Sequence, residues 1–195
     1  MKALERAVFL DRDGVINKWE HGDKDVPESW YILKWDDFEF LPGVIMAIRK
    51  LLDSGYVVIV ISNQSGIGRG FVDSVTVSNI FHRMKAELLG IEMSGWFAES
   101  TDDVFMNSPL FFHFCPHTPD SGCACRKPSP GMLYKAAIEH DIDLSKSWMV
   151  GDSDTDMEAG KAAGIKKLIK IDGVSNYIRG DLLQAVTFIL EQEAE

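Results

Sequence analysis

The feature that most constrains this chain is its rhythm. Short β-branched or apolar runs at 7–10, 57–61, 148–150 and 167–171 alternate with stretches that repeat apolar residues at helical spacing. Such runs read as strands buried on both faces, and buried strands separated by helices pair in parallel through crossover connections. The helical stretches are 44–53, which follows Pro42-Gly43 and is closed by Gly55, then 74–89, 130–140, 154–163 and 180–192. The fold class is therefore α/β, a Rossmann-like open parallel sheet with helices on both faces. The 195 residues fit one domain spanning 1–195, long enough to bury a core. Two stretches stand outside the rhythm. Residues 18–39 place Trp19, Trp30, Tyr31 and Trp35 among charges, as either a small mobile flap over a site or a long ordered loop. Residues 92–110 read as irregular, with turn signals at Ser100-Thr101-Asp102-Asp103 and Asn107-Ser108-Pro109.

Ligands of such sheets bind outside the carboxyl ends of the strands, and the sequence concentrates its chemistry there. Asp11 and Asp13 follow the first strand two residues apart. In extended backbone they project to one side and Arg12 to the other, giving a pair in which one carboxylate attacks or binds a metal. The other, its proton affinity raised by its neighbour, shuttles a proton. After the second strand, Ser62-Asn63-Gln64-Ser65-Gly66 offers hydroxyl and N–H donors to phosphate oxygens, with Arg69 nearby as a cation or a loop anchor. Arg126-Lys127 precedes a helical stretch, where Lys127 can neutralise a transferring phosphoryl group and Arg126 can grip a second anionic or polyhydroxy part of a substrate. Gly151-Asp152-Ser153-Asp154-Thr155-Asp156 ends the next strand, and Asp152 with Asp11 offers oxygen ligands to Mg²⁺. Asp154 is a candidate cap for the following helix, and Asp156 a residue that orients a ligand.

All three cysteines fall in an eleven-residue window with a histidine, as Cys115-Pro116-His117 and Cys123-Ala124-Cys125. That is the Cys₃His set of a closed tetrahedral zinc site, in which the metal is structural. His82, His113 and His140 read as surface or packing residues. The formal charge of −10 excludes a broad basic face for nucleic acid. No apolar run approaches the roughly 18 residues that span a bilayer, and residues 1–6 lead into a strand rather than a secretory leader, so the expected location is the cytoplasm.

With Asp11-x-Asp13, Ser62, Lys127 and Gly151-Asp152 in this order, the chain resembles the haloacid dehalogenase superfamily of aspartate-nucleophile phosphatases over about residues 7–171. Asp11-Arg12-Asp13-Gly14, Ser62-Asn63-Gln64-Ser65-Gly66 and the block from Cys115 to Pro128 are similar to one subgroup, the D-glycero-D-manno-heptose 1,7-bisphosphate 7-phosphatases and related histidinol-phosphatases. The resemblance implies that Asp11 attacks phosphorus to form an aspartyl-phosphate, while Asp13 protonates the leaving alkoxide and then activates water. It implies Mg²⁺ held by Asp11, the backbone carbonyl of Asp13 and Asp152, with Ser62 and Lys127 on the phosphoryl oxygens. Substrate contacts are implied for Asn63, Gln64, Ser65 and Arg126, and for Trp19, Glu20, His21 and Gly22 in the flap. The expected activity is Mg²⁺-dependent hydrolysis of a small sugar phosphate by a monomer, a heptose 1,7-bisphosphate first and histidinol phosphate second. A zinc-stabilised protein that binds a phosphorylated ligand without hydrolysing it is the reading from another class.

Overall fold

Along β1 (Ala7–Leu10) successive side chains point to opposite faces of the sheet, and neither face meets water. Val8 and Leu10 join an apolar core built with α1 (Val44–Asp53), α3 (Ser74–Leu89) and α7 (Leu182–Gln192). Ala7 and Phe9 join a second core with α5 (Gly131–Glu139) and α6 (Asp154–Ala162). The computed structural model describes residues 5–19, 22–92, 103–171 and 180–193. Its sheet is completed by β2 (Val57–Asn63), β3 (Leu110–Cys115), β4 (Trp148–Gly151) and β5 (Lys167–Lys170), in the order β3-β2-β1-β4-β5 with every pairing parallel. Two short helices, α2 (Ser65–Gly68) and α4 (Asp103–Asn107), follow β2 and precede β3. No helix among the described residues is long and apolar enough to cross a membrane.

The chain winds outward from β1 to β3 and then crosses back to lay β4 against the other side of β1. Leu10 therefore faces Val60 on one side and Val150 on the other. This reversal splays the connections leaving β1 and β4, and the crevice it opens lies at their carboxyl ends. Asp11 and Asp152 stand there.

Two readings of the sequence need correction. Residues 110–115 form a fifth strand, within or beyond the stretch read as irregular; Leu-Phe-Phe-His-Phe-Cys is an aromatic strand pattern directly after an Asn-Ser-Pro turn. The new strand extends the ladder, pairing Ser62 with Phe114 and Asn63 with Cys115, so these two residues sit on β2 rather than after it. Asp154 does not cap α6. Ser153 is the cap, closing a box in which its N–H and hydroxyl bond the Asp156 carboxylate at 3.1 and 2.6 Å.

As far as it is described, the aromatic insert is a loop that walls the crevice. The Lys18 N–H donates to the Glu39 carbonyl at 2.8 Å, and Asn17 and Phe40 form an antiparallel bridge, so its ends are tied together. Trp35 stacks on Phe38 at 4.8 Å, anchoring the base to the first core. At the tip the Tyr31 ring packs on Phe71 at 5.6 Å and its hydroxyl lies 3.3 Å from Ser65 Oγ. Gly66 permits that approach, because a Cβ there would press on the Tyr31 ring at 3.0 Å.

One core residue connects packing to the crevice. Phe81 on α3 is fully buried, stacks on Phe112 and Phe114 at 5.0 and 5.6 Å, and supports the Arg12 guanidinium at 5.0 Å from its ring. Phe81→Ala is expected to cost about 3–5 kcal/mol in urea unfolding, the transfer and cavity terms together. A loss under about 1 kcal/mol would mean that the sheet closes over the gap.

Candidate active site

β1 delivers Asp11 into the crevice with its backbone still in the ladder, its N–H donating to the Val150 carbonyl at 3.0 Å. The Asp11 carboxylate is held through Oδ1, which accepts from the Arg12 N–H at 2.7 Å and meets Lys127 Nζ at 2.6 Å. That orientation leaves Oδ2 as the oxygen available for other work. Burial pushes the Asp11 carboxyl up to about 8 against the pull of Lys127, with Asp156 and Asp13 adding to the rise.

Asp13 behaves oppositely, which corrects the expectation that it is the member of raised proton affinity. Gly14, at φ 84°, turns the chain out of the strand direction, and Arg12 does not project away from the pair. Its guanidinium folds onto Asp13, Nη2 reaching Oδ1 at 2.8 Å and Oδ2 at 3.0 Å. Asn17 donates to Oδ1 at 3.0 Å, Gln64 to Oδ2 at 2.9 Å, and the Ser62 hydroxyl to Oδ2 at 3.4 Å. Burial acts to raise the Asp13 carboxyl, but Arg12, Asn17 and Gln64 more than offset it and hold Asp13 below the usual carboxylate range. Sequence reasoning had no signal for Arg12 and Asn17 beyond their nearness to Asp13.

Lys127 is 3% exposed and its ammonium sits between two carboxylates, Asp11 Oδ1 and Asp156 Oδ1, each at 2.6 Å, and donates to the Ile61 carbonyl at 3.1 Å. Burial works against its charge, yet Asp11 and Asp156 outweigh that and hold the lysine charged. Asn63, expected to touch substrate, spends its amide elsewhere. Its Nδ2 donates to the Lys127 carbonyl at 3.1 Å and its Oδ1 accepts the Lys127 N–H at 3.0 Å, clamping the lysine's backbone to β2. Gln64 likewise directs its amide to Asp13 and to Ser62 Oγ, the latter at 2.7 Å.

A cavity of about 270 Å³ joins these groups, lined by Asp11, Asp13, Ser62, Asn63, Gln64, Ser65, Arg126, Lys127 and Asp152 and walled by Trp19, Trp30, Tyr31 and Ile32. Arg126 donates to the His117 carbonyl at 3.2 Å, which aims it from the loop after Cys125. Gly22 and Arg69 do not line this cavity. Gly22 fits closely over Ser29, and Arg69 is exposed on the rim of α2. Glu20 and His21 lie outside the described residues.

The carboxylate oxygens of Asp11, Asp152 and Asp156 converge within 4.8 Å. Burial, reinforced by Asp156, pushes the Asp152 carboxyl up to about 6. Carboxylates gathered out of water in this way suit a hard divalent cation. Gly14 is part of the fit, since a Cβ there would collide with the Asp152 carboxylate. Asp156, read from the sequence as a residue that orients a ligand, is fully buried and braces Lys127 and the α6 cap instead of facing the cavity. In the loop after β3, Cys115, Cys123 and Cys125 place their sulfurs 3.1–3.6 Å apart, with His117 Nδ1 3.2 Å from Cys125 and 3.5 Å from Cys115. Four donors around one point fit a tetrahedral zinc ion, whose sulfur ligands stand roughly 3.7 Å apart. Burial pushes the Cys115 thiol up to about 12, so a bound cation is what would keep it a thiolate.

Comparison with known proteins places this geometry. The HAD-hydrolase-like family model matches residues 124–185. The D-glycero-alpha-D-manno-heptose-1,7-bisphosphate 7-phosphatase of Photorhabdus laumondii is 36% identical over 83% of this chain and 80% of its own length. The D-glycero-beta-D-manno-heptose-1,7-bisphosphate 7-phosphatase of Pseudomonas aeruginosa is 37% identical over 96% and 93%. Among solved structures, the D,D-heptose 1,7-bisphosphate phosphatase of Bordetella bronchiseptica, complexed with magnesium and phosphate, superposes with a TM-score of 0.73 at 30% identity, covering 96% of this chain and 99% of that one. Relatives this similar over most of both lengths, on the same sheet, mean that the chain is a phosphatase and belongs to the haloacid dehalogenase superfamily, among the heptose bisphosphate phosphatases.

Proposed function

We propose that the protein removes the 7-phosphate of a D-glycero-D-manno-heptose 1,7-bisphosphate, acting as a cytoplasmic monomer on a free small molecule, with Asp11 as nucleophile. The observation that carries the chemistry is the fixed Asp11 carboxylate, with Oδ1 tied to Lys127 and the Arg12 N–H. Its free oxygen attacks phosphorus and the bond to the sugar oxygen breaks, leaving an acyl phosphate on Asp11. Asp13 gives a proton to the departing alkoxide. Resting Asp13 is ionised, but a phosphate dianion beside it raises its proton affinity, so the substrate itself prepares the acid. The same carboxylate then takes a proton from the water that attacks the acyl phosphate, releasing inorganic phosphate and restoring Asp11.

Ser62 and Lys127 stabilise the charge that gathers on the equatorial oxygens. Mg²⁺ would be held by Asp11, Asp152 and the backbone carbonyl of Asp13, and would supply charge neutralisation at the phosphoryl group. Arg126 and the aromatic wall of Trp19, Trp30 and Tyr31 hold the part of the substrate that does not react. The Cys₃His loop would hold Zn²⁺ as a structural ion, and because Lys127 follows Cys125 by two residues, that ion would set the lysine's position.

The wall also offers a flat π surface to an imidazolium, which supports histidinol phosphate as the second reading. Phosphate release from the two substrates separates them: a kcat/KM ratio of about a hundredfold or more for the heptose bisphosphate, roughly 2.7 kcal/mol of transition-state binding, is expected. The inverse ratio would move the enzyme to the amino alcohol. Asp11→Asn is expected to lower turnover by about 10³-fold or more with the melting temperature preserved. Turnover near that of the wild type would remove Asp11 from the mechanism. Stripping zinc with a chelator is expected to lower both the melting temperature and kcat, since metal binding at such a loop is coupled to folding. Verified removal with both quantities unchanged would refute the structural role.

A further inference from the structure

Two residues before Cys115 on the same face of β3, His113 points its ring toward the carboxyl end of α5, where Glu139 and His140 lie. His113 Nε2 and His140 Nε2 stand 3.4 Å apart, and Glu139 Oε2 is 3.7 Å from His113 Nε2. One ligand atom from each of the three residues falls within a 4.8 Å cluster. The separation of the two nitrogens is long for a good hydrogen bond. It matches the edge of a tetrahedron around a metal, because two nitrogens each about 2.05 Å from zinc stand roughly 3.3 Å apart.

The rings are also held in place. His140 lies flat on Phe111, with centroids 3.7 Å apart and planes at 14°, while the His113 side chain is 10% exposed on a paired strand. The Glu139 side chain is half-exposed, and among the described residues its other oxygen is held by a 3.8 Å pair with Lys135. A cleft of about 330 Å³, lined in part by His82, Phe105, His113 and His140, gives an ion access and leaves room for a water in the fourth position.

We infer that His113, Glu139 and His140 form a third metal site, separate from the cysteine loop and the phosphatase crevice, for a borderline divalent transition metal such as Zn²⁺, Co²⁺ or Ni²⁺. Two imidazoles and a carboxylate select these ions over Mg²⁺. Lys85 sets a limit on affinity. It lies in the same cleft, 7% exposed, with its ammonium 4.7 Å from the Phe105 ring and 5.7 Å from that of Phe111, and its charge opposes the incoming ion. The site is therefore an exchangeable one, weaker than a set of three thiolates.

The test is equilibrium dialysis of the whole protein against Zn²⁺ or Co²⁺, followed by metal analysis. Wild type is expected to hold about one equivalent more than His113→Ala or His140→Ala. In the Co²⁺ protein the equivalent lost from these variants carries ligand-field absorption without a thiolate charge-transfer band, which separates it from the cysteine loop. Lys85→Met is expected to tighten this equivalent several-fold. His140 caps the end of a helix and is partly exposed, so His140→Ala remains decisive if His113→Ala fails to fold. Equal metal content in wild type and His140→Ala, or an extra equivalent that carries thiolate charge transfer, would overturn the site.

Discussion

The structure of the crevice depends on one ammonium group buried between two carboxylates. Lys127 comes from the loop after Cys125, Asp11 from the end of β1 and Asp156 from the first turn of α6, and the Ile61 carbonyl of β2 takes another of its protons. An ammonium group alone in that position would cost several kcal/mol. The two carboxylates offset that cost, and four separate segments are locked in register by the demand that the buried ammonium keep its partners. The Asn63 amide completes the lock from the backbone side.

Charge explains the rest of the arrangement. The chain carries a formal charge of −10 and binds an anion, so the local field must be built against the global one. The protein does this by spending its cations at short range. Arg12 is consumed by Asp13 and Lys127 by Asp11 and Asp156, which leaves Arg126 at the cavity wall as the cation with a partly exposed head. Neutralising the carboxylates in this manner turns a cluster that would repel phosphate into one that accepts it.

The layers of the fold were legible because buried parallel strands leave an unmistakable apolar run, and the residues at their ends were legible because chemistry requires unusual side chains there. β3 was harder to read because its aromatic run has no β-branched residue and follows a turn-rich stretch. The site's supporting members escaped for a different reason. Asn63 and Gln64 sit in a motif that looks made for phosphate, yet their amides are turned on Lys127 and Asp13, and nothing local distinguishes an amide that faces a ligand from one that faces a neighbour. Asp156 meets Lys127 only through long-range packing, and Arg12 folds onto its neighbour Asp13 where strand alternation would have turned it away. Sequence spacing places such residues near a site but leaves their hydrogen-bond partners open.

The tied ends of the aromatic insert carry a consequence for how such an enzyme diversifies. Because Lys18 and Glu39 already meet at its base, the entropy of closing the loop is set by that junction and grows only slowly with what lies between. Between that junction and the part of the loop held in the first core by Trp35 and Phe38, changes in length are therefore tolerated more readily than changes at the base. The wall that Trp19, Trp30 and Tyr31 give the cavity thus hangs on a loop with tied ends, while the carboxylates and the lysine beneath it are held by the sheet.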